Sequence, residues 1–268
     1  MVGIQTQPVG SLLRKRRERR RLSQLDLACE AEISTRHLSF LETGRSLPSR
    51  EMVLRLAEQL EVPLRDRNVL LIAAGYAPAF PERPLDDPAL QAARRAVDLA
   101  LAGHEPYPAL AIDRHWTLIA SNKAVPPMLA GVDPSLLRPP VNVLRLSLHP
   151  AGLAPRIANL AEWRLHLLAR LRRQIEVSAD PGLEELLSEL CGYPMPGDAG
   201  TAKPGAGAEY AGVIVPFRLV TEQGILSFIS ATTIFGTPVD ITLSELAIES
   251  FFPADATTAK ILRQIADT

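Results

Sequence analysis

Aromatic residues are scarce in this chain, 5% of 268 residues, while hydrophobic residues of all kinds make up 47%. Any core it builds is therefore aliphatic. Cysteine is nearly absent. Cys29 and Cys191 stand far apart with no partner spacing, which argues against a disulfide framework or a zinc site and for a reducing compartment. No apolar run approaches the ~20 residues that cross a bilayer, so no membrane partner is expected. The first residues are polar and then strongly basic, without the apolar stretch of a secretory leader, and the expected location is the cytoplasm.

Catalytic signatures are missing as well. The five histidines (His37, His104, His115, His149, His166) show no metal-ligand spacing such as H-x-x-x-H. There is no G-x-S-x-G, no P-loop and no cysteine pair. The GAGAE at 205–209 follows no strand, opens no helix and lacks the third glycine of a dinucleotide fingerprint. Neither an enzyme nor a cofactor or metal site is expected.

The net charge of −1 hides an asymmetry. Residues 1–75 carry 13 Lys and Arg against 9 Asp and Glu; residues 76–268 carry 16 against 21. A basic N-terminal part beside an acidic remainder fits nucleic-acid binding by the first part alone.

The most informative stretch is Ser23–Ser49, SQLDLACEAEISTRHLSFLETGRSLPS. Ser23 is a suitable N-cap, and Asp26 puts a carboxylate in the first turn. Leu25, Ala28 and Ala31 give an apolar stripe, and the small Ala28 admits a second helix at close range. Glu32 and Ile33 form a turn with Ile33 plugging inward. Ser34 caps the second helix, Leu38 and Leu41 face back to the first, and Gly44 stops it. Thr35, Arg36, His37 and Ser39 are left on the exposed face as short or polar donors, which is what reaching base edges in a major groove requires. Arg36 is the first choice for base readout, because Arg bonds guanine O6 and N7 together. Ser34 stands beside them, His37 is a weaker candidate, and Arg45, just past Gly44, is placed for a phosphate. Seven of the eight residues Arg14–Arg21 are basic. Some are read as phosphate contacts and some as Arg stems covering apolar surface.

At these residues the chain resembles the Cro/repressor-type helix-turn-helix family, and RHLSFLETGRSLPS together with the residues after it narrows this to the MmyB-like transcription regulators. The resemblance covers nearly the whole chain. It departs at Glu32, where such turns usually hold Gly. It implies that Gln24 bonds a phosphate and braces the recognition helix. It also implies a bacterial, cytoplasmic regulator in which a five-helix helix-turn-helix domain (1–76) precedes a PAS-like ligand-binding domain (106–268). A proline-rich linker and connecting helix (77–105) would lie between them.

Periodicity places the elements. Helices are expected at Val9–Arg21, from Ser49 to Pro63, and at Arg65–Ala74. Four prolines in Ala77–Pro88 mark a stiff linker, with a helix at Ala89–Ala102. ALAID and TLIAS around Arg114-His115-Trp116 read as two strands, with Asn122 after them. A helix is expected at Arg156–Val177, its arginines (Arg164, Arg170, Arg172, Arg173) on a solvated face, and another at Gly182–Cys191. Strands are expected at Val213–Val220, Ile225–Phe235 and, mainly by resemblance, Val239–Phe252, then a helix at Ala256–Ile265. The fold class is thus multidomain, α and then α+β, the sensor being an antiparallel sheet with helices inserted after its second strand.

Lys123-Ala-Val-Pro-Pro after Asn122 lacks the cysteine that covalent flavin sensing needs, and His149 or His166 is more simply a core histidine than a haem ligand. What remains is an apolar cavity with a few polar anchors. Arg145, His149, Arg156 and His166 are the candidates, with Arg suited to a carboxylate head and the aliphatic core to a fatty-acid-like chain. Expected partners are an operator DNA, a small apolar ligand and a second copy of the chain on a near-palindrome. The alternative is a DNA-binding regulator whose C-terminal domain is a dimerisation or protein-interaction module without ligand, in which case its core should be solid.

Overall fold

A computed structural model describes residues 7–195, 214–236, 238 and 240–266. They divide into two compact units: Met1–Pro84 with Thr237–Ser244, and Leu85–Gly236 with Glu245–Thr268.

The first unit holds α1 (Val9–Arg19), α2 (Gln24–Glu30), α3 (Thr35–Glu42), α4 (Arg50–Gln59) and α5 (Leu64–Ala73). Serines start three of them. Ser23 accepts from the Asp26 N–H while the Asp26 carboxylate accepts from the Ser23 N–H, a full capping box. Ser34 and Ser49 accept from His37 and Met52. All five helices end alike. Arg21, Glu32, Gly44, Glu61 and Gly75 take positive φ, and the next residue's N–H reaches back to close the last turn (Leu22 to Arg17, Ile33 to Ala28, Arg45 to Phe40, Val62 to Ala57, Tyr76 to Leu71). The inward plug expected of Ile33 is thus one case of a repeated stop. Three of the five positions are not glycine, and each carries steric strain of about 1 kcal/mol or somewhat more.

Leu13, Leu27, Leu38, Leu41, Leu56 and Leu71 are fully buried between these helices, each contributing roughly 1.5–3 kcal/mol by leaving water. The stripe on α2 differs from expectation: Leu27 is the core residue, and Leu25 is 61% exposed. Gly10 lets α1 lie against the end of α3, since a Cβ there would sit 2.2 Å from the Leu41 carbonyl oxygen. The proline-rich residues after α5 are fastened rather than free. Asn68 bonds the backbone of Ala79 and Phe80, and Arg65 pairs with Glu82. The unit is completed by α11 (Ile241–Ser244). The fully buried Asp240 pairs with Arg83, and the Ile241 N–H donates to the Pro81 carbonyl.

The second unit is built on a five-stranded sheet, β1 (Ala109–Ile112), β2 (Leu118–Ser121), β3 (Phe217–Thr221), β4 (Gly224–Ile234) and β5 (Ala247–Pro253), in the order β2-β1-β5-β4-β3. Every neighbouring pair is antiparallel. This is a PAS-like sheet, with α7 (Val125–Met128), α8 (Val143–Leu148), α9 (Leu160–Ser178) and α10 (Pro181–Gly192) inserted between β2 and β3. One face packs on α6 (Gln91–Gly103) through Val97, Leu101, Ala109, Ala111 and Ile248. The other meets α8, α9 and α10, and α12 (Ala256–Ala266) closes the unit.

Asp113 and Asn122 account for the entry to this sheet. The Asp113 carboxylate accepts from the His115 and Thr117 N–H groups, tightening the β1–β2 turn in which Trp116 has φ 64°. Buried Asn122 accepts from Ala109 and donates to the Leu101 and Tyr107 carbonyls.

NVLRLSLH is helical over Val143–Leu148, because Asn142 caps it by accepting from Leu144 and Arg145. One expectation is revised. The region read as mainly strand from Val239 begins with helical Ile241–Ser244, and its strand starts at Ala247. The buried face of α9 includes Trp163 and Leu167, whereas Ala161 is exposed. Val213, Thr237 and Val239 lie outside the described residues, as does most of the Gly/Pro/Ala-rich stretch Tyr193–Glu209.

Candidate DNA-binding face and ligand cavity

The helix-turn-helix is α2 and α3. Leu38 and Leu41 hold α3 to the core, and its last residue, Glu42, is anchored electrostatically. Arg17 of α1 grips the Glu42 carboxylate with two bonds, 2.7 and 3.0 Å, and Gln24 donates to it at 2.8 Å. Arg17 also donates to the Leu22 carbonyl. Both partners of this pair are buried, and the bond to Glu42 holds the Arg17 guanidinium above its ordinary range. Gln24 thereby ties the start of α2 to the end of α3.

The face left outward carries Thr35, Arg36, His37, Ser39 and, beyond the helix, Arg45. Arg36 and Arg45 both lie over the Phe40 ring, at 5.4 and 5.9 Å from its centre. The half-buried Phe40 therefore supports two exposed guanidinium groups. Neither arginine has an acidic partner among the described residues. Ser34 is committed to its cap. Along α1, Arg14 pairs with Glu18, Arg16 with Asp66, Arg17 with Glu42 and Arg20 with Glu61. Much of that basic run neutralises its own unit.

The second unit contains a cavity of about 110 Å³ between the sheet and the inserted helices. Leu110, Leu118, Phe217, Phe228 and Phe251 form its sheet wall. Val125, Met128, Leu144, Leu146, Trp163 and Leu167 close it from the helices, and Trp116 lines it from the β1–β2 turn. Its few polar groups are Ser147, Arg170 and Glu249. Both indole N–H groups are satisfied, Trp163 by the Ser147 hydroxyl at 3.0 Å and Trp116 by Gln174 at 2.8 Å. Arg170 donates to Glu249 at 2.6 and 3.3 Å and lies over the Trp116 ring. Alternation along β5 turns Ala247, Glu249 and Phe251 to this side, opposite Ile248.

The four anchors expected from the sequence stand elsewhere. Arg145 is paired with Glu189 of α10, and Tyr193 bonds the same carboxylate. Arg145 is raised and Glu189 lowered by that bond, while burial and the Glu189 carboxylate push Tyr193 up. His149 accepts from the Ala151 N–H and meets Tyr193 edge-on. Arg156 donates to the Met128 and Ala130 carbonyls at the end of α7. His166 stacks on Trp163, and burial first, then Arg170, lowers its pKa. All four brace the walls, and none lines the cavity. Conversely, Arg170 was read as part of a solvated face. Its partner Glu249 lies 79 residues away in sequence, so no local spacing could reveal it.

A helix-turn-helix unit joined to a PAS-like unit with an apolar cavity defines a class: a DNA-binding transcription regulator with a C-terminal ligand-binding domain. Two family models match. One is a helix-turn-helix domain, over residues 8–70. The other is the MmyB-like transcription regulator ligand binding domain, over residues 93–265. This second match spans more than half of the chain, and the chain belongs to the MmyB-like transcription regulator family. No curated protein matches it. Among solved structures, one titled "Structure of an RNA-binding Light-Oxygen-Voltage Receptor" is similar at 12% identity with a TM-score of 0.25. That alignment covers 97% of this chain, and the chain spans 63% of the other's length.

Proposed function

We propose that this chain is a one-component regulator. Its helix-turn-helix unit binds operator DNA as part of a homodimer, in the cytoplasm, and its PAS-like unit senses a chain-like apolar molecule of the fatty-acid type. The observation that carries the sensing half is the cavity itself, walled by Leu, Met, Phe and Trp side chains. Burying an aliphatic chain there contributes about 0.8 kcal/mol per methylene. A solid core would have favoured the interaction-module reading instead. The protein acts by binding and not by catalysis.

On the DNA side, Arg36 is assigned a guanine edge. His37, Thr35 and Ser39 are assigned neighbouring base edges, and Arg45 a phosphate. Ser34 presents its helix N-terminus to the backbone, and Gln24 sets the recognition helix in place. The support is that Arg36 and Arg45 are exposed, have no acidic partner among the described residues, and are propped by Phe40. With an operator selected from random duplexes, Arg36→Ala is expected to cost about 1–3 kcal/mol and to relax one base position, without merely lowering the salt slope. If only the salt slope changed, Arg36 would be a phosphate contact.

Ligand and operator are linked thermodynamically, each changing the other's affinity by the same factor. The test is mass spectrometry of the purified protein, native and then denatured in solvent, followed by titration of the released compound against operator binding. A discrete extra mass that alters operator affinity is the expected result. A released compound without effect on operator affinity would contradict the sensor reading and favour the interaction module.

A further inference from the structure

The cavity's polar corner is already in charge balance. Arg170 of α9 spends its guanidinium on Glu249 of β5, at 2.6 and 3.3 Å, and on the Thr232 hydroxyl of β4 at 3.1 Å. Thr232 stands directly across the strand pair from Glu249 and donates to it at 2.8 Å. Glu249 is 4% exposed. Among the described residues, no buried side-chain nitrogen or oxygen lacks a partner. The other titratable group beside this corner, His166 one turn earlier on α9, is held toward its neutral form by burial and by Arg170. The cavity thus offers an incoming ligand one cation and one anion that cancel.

This balance sets what head group can enter. A ligand carboxylate would bring a second negative charge into a wall of Leu, Phe and Trp, where an uncompensated charge is costly. To take Arg170 for itself it must displace Glu249, whose remaining side-chain partner would be the Thr232 hydroxyl. An uncharged hydroxyl meets neither obstacle. It adds no charge, accepts from a guanidinium with five N–H donors, and donates to a carboxylate with lone pairs to spare.

We propose that the Arg170–Glu249 pair makes this cavity selective for a neutral amphiphile, an aliphatic chain ending in a hydroxyl or similar uncharged head, over the matching carboxylate, and that Glu249 is the residue setting that choice. The proposal rests on the apolar-ligand reading above and narrows it: the chain of the fatty-acid type is kept, and its carboxylate is replaced by an uncharged head. Selection here works by repulsion as much as by attraction.

The chain's two tryptophans, Trp116 and Trp163, both line the cavity, so their emission reports occupancy. The experiment titrates the full chain with 1-octanol and with octanoate at pH 7.5, in wild type and in Glu249→Gln. Wild type should bind 1-octanol about tenfold or more tighter than octanoate. In Glu249→Gln, octanoate should gain about tenfold relative to 1-octanol, because the incumbent charge is gone while the side-chain shape is kept. Octanoate binding wild type as tightly as 1-octanol overturns the proposal, and that comparison needs no variant to fold. So does an unchanged ratio in a folded Glu249→Gln; in either case saturable binding would leave the cavity reading intact. If neither compound changes the emission, both readings fall together.

Discussion

Each unit of this protein buries an arginine–glutamate pair with a third polar residue on the carboxylate, yet the two pairs sit in different surroundings. In the first unit, Arg17 and Glu42 are joined by Gln24 beside the helical core, and the glutamate side chain is 1% exposed. In the second, Arg170 and Glu249 are joined by Thr232 at the edge of a cavity, and the arginine side chain keeps 25% of its exposure. The first pair locks a recognition helix to its neighbours. The second stands where a ligand would arrive. The same residue types therefore serve as a fastener in one place and as a lining in the other, and the packing around them decides which.

The comparison is broken most forcefully by truncating the glutamates. Glu42→Ala strands Arg17 in a dry core and should cost about 3–5 kcal/mol in denaturant unfolding of the first unit, with loss of DNA binding. Glu249→Ala leaves Arg170 beside a cavity that can admit water, and should cost about 1–3 kcal/mol. Equal losses would mean that the cavity is as dry and closed as the helical core.

Enlarging a core side chain sharpens the same contrast. Leu41→Phe should overpack the first unit and cost about 1–3 kcal/mol, whereas Leu167→Phe projects into the cavity and should cost under about 1 kcal/mol. Thermal melts of the two variants decide this. A severe loss from Leu167→Phe would show that the space beside Leu167 cannot take the extra volume.

The smallest effect expected is a pH dependence of the second unit. His166 is held below its ordinary value of 6.5 by burial and Arg170, so the unfolded chain takes up its proton first. Its contribution is fully present above about pH 6.5. It falls as the pH drops below that value, and it levels off beneath the folded value. Glu189, lowered chiefly by Arg145, adds a separate loss as the pH falls below about 4.5 and on through its folded value. Melts at pH 7.5 and 5.5 should show a shift that His166→Gln removes. A shift that persists in this variant would assign it elsewhere.

Local features were legible in the chain. Ser23, Ser34, Ser49 and Gly44 mark helix ends through bonds made within four residues, so helix-turn-helix geometry follows from short spacing. The strands of the PAS-like sheet were legible through alternation and resemblance together, but not their spatial order, because β1 pairs with β5 from the far end of the unit. The polar corner of the cavity was not, because Arg170 and Glu249 meet only after the sheet forms. Separation in sequence likewise hid the engagement of Arg145 with Glu189 and of Arg156 with the carbonyls at the end of α7. An arginine's sequence neighbours say whether its stem lies on a polar face, but not which carboxylate another element will bring to it.

Whether the second unit keeps room for an apolar guest is tested most directly by titrating 1-octanol against the emission of Trp116 and Trp163 in wild type and in Leu167→Phe. A saturable change in wild type that is lost in the folded variant is the predicted result. The same response in both, or none in wild type, would contradict the account.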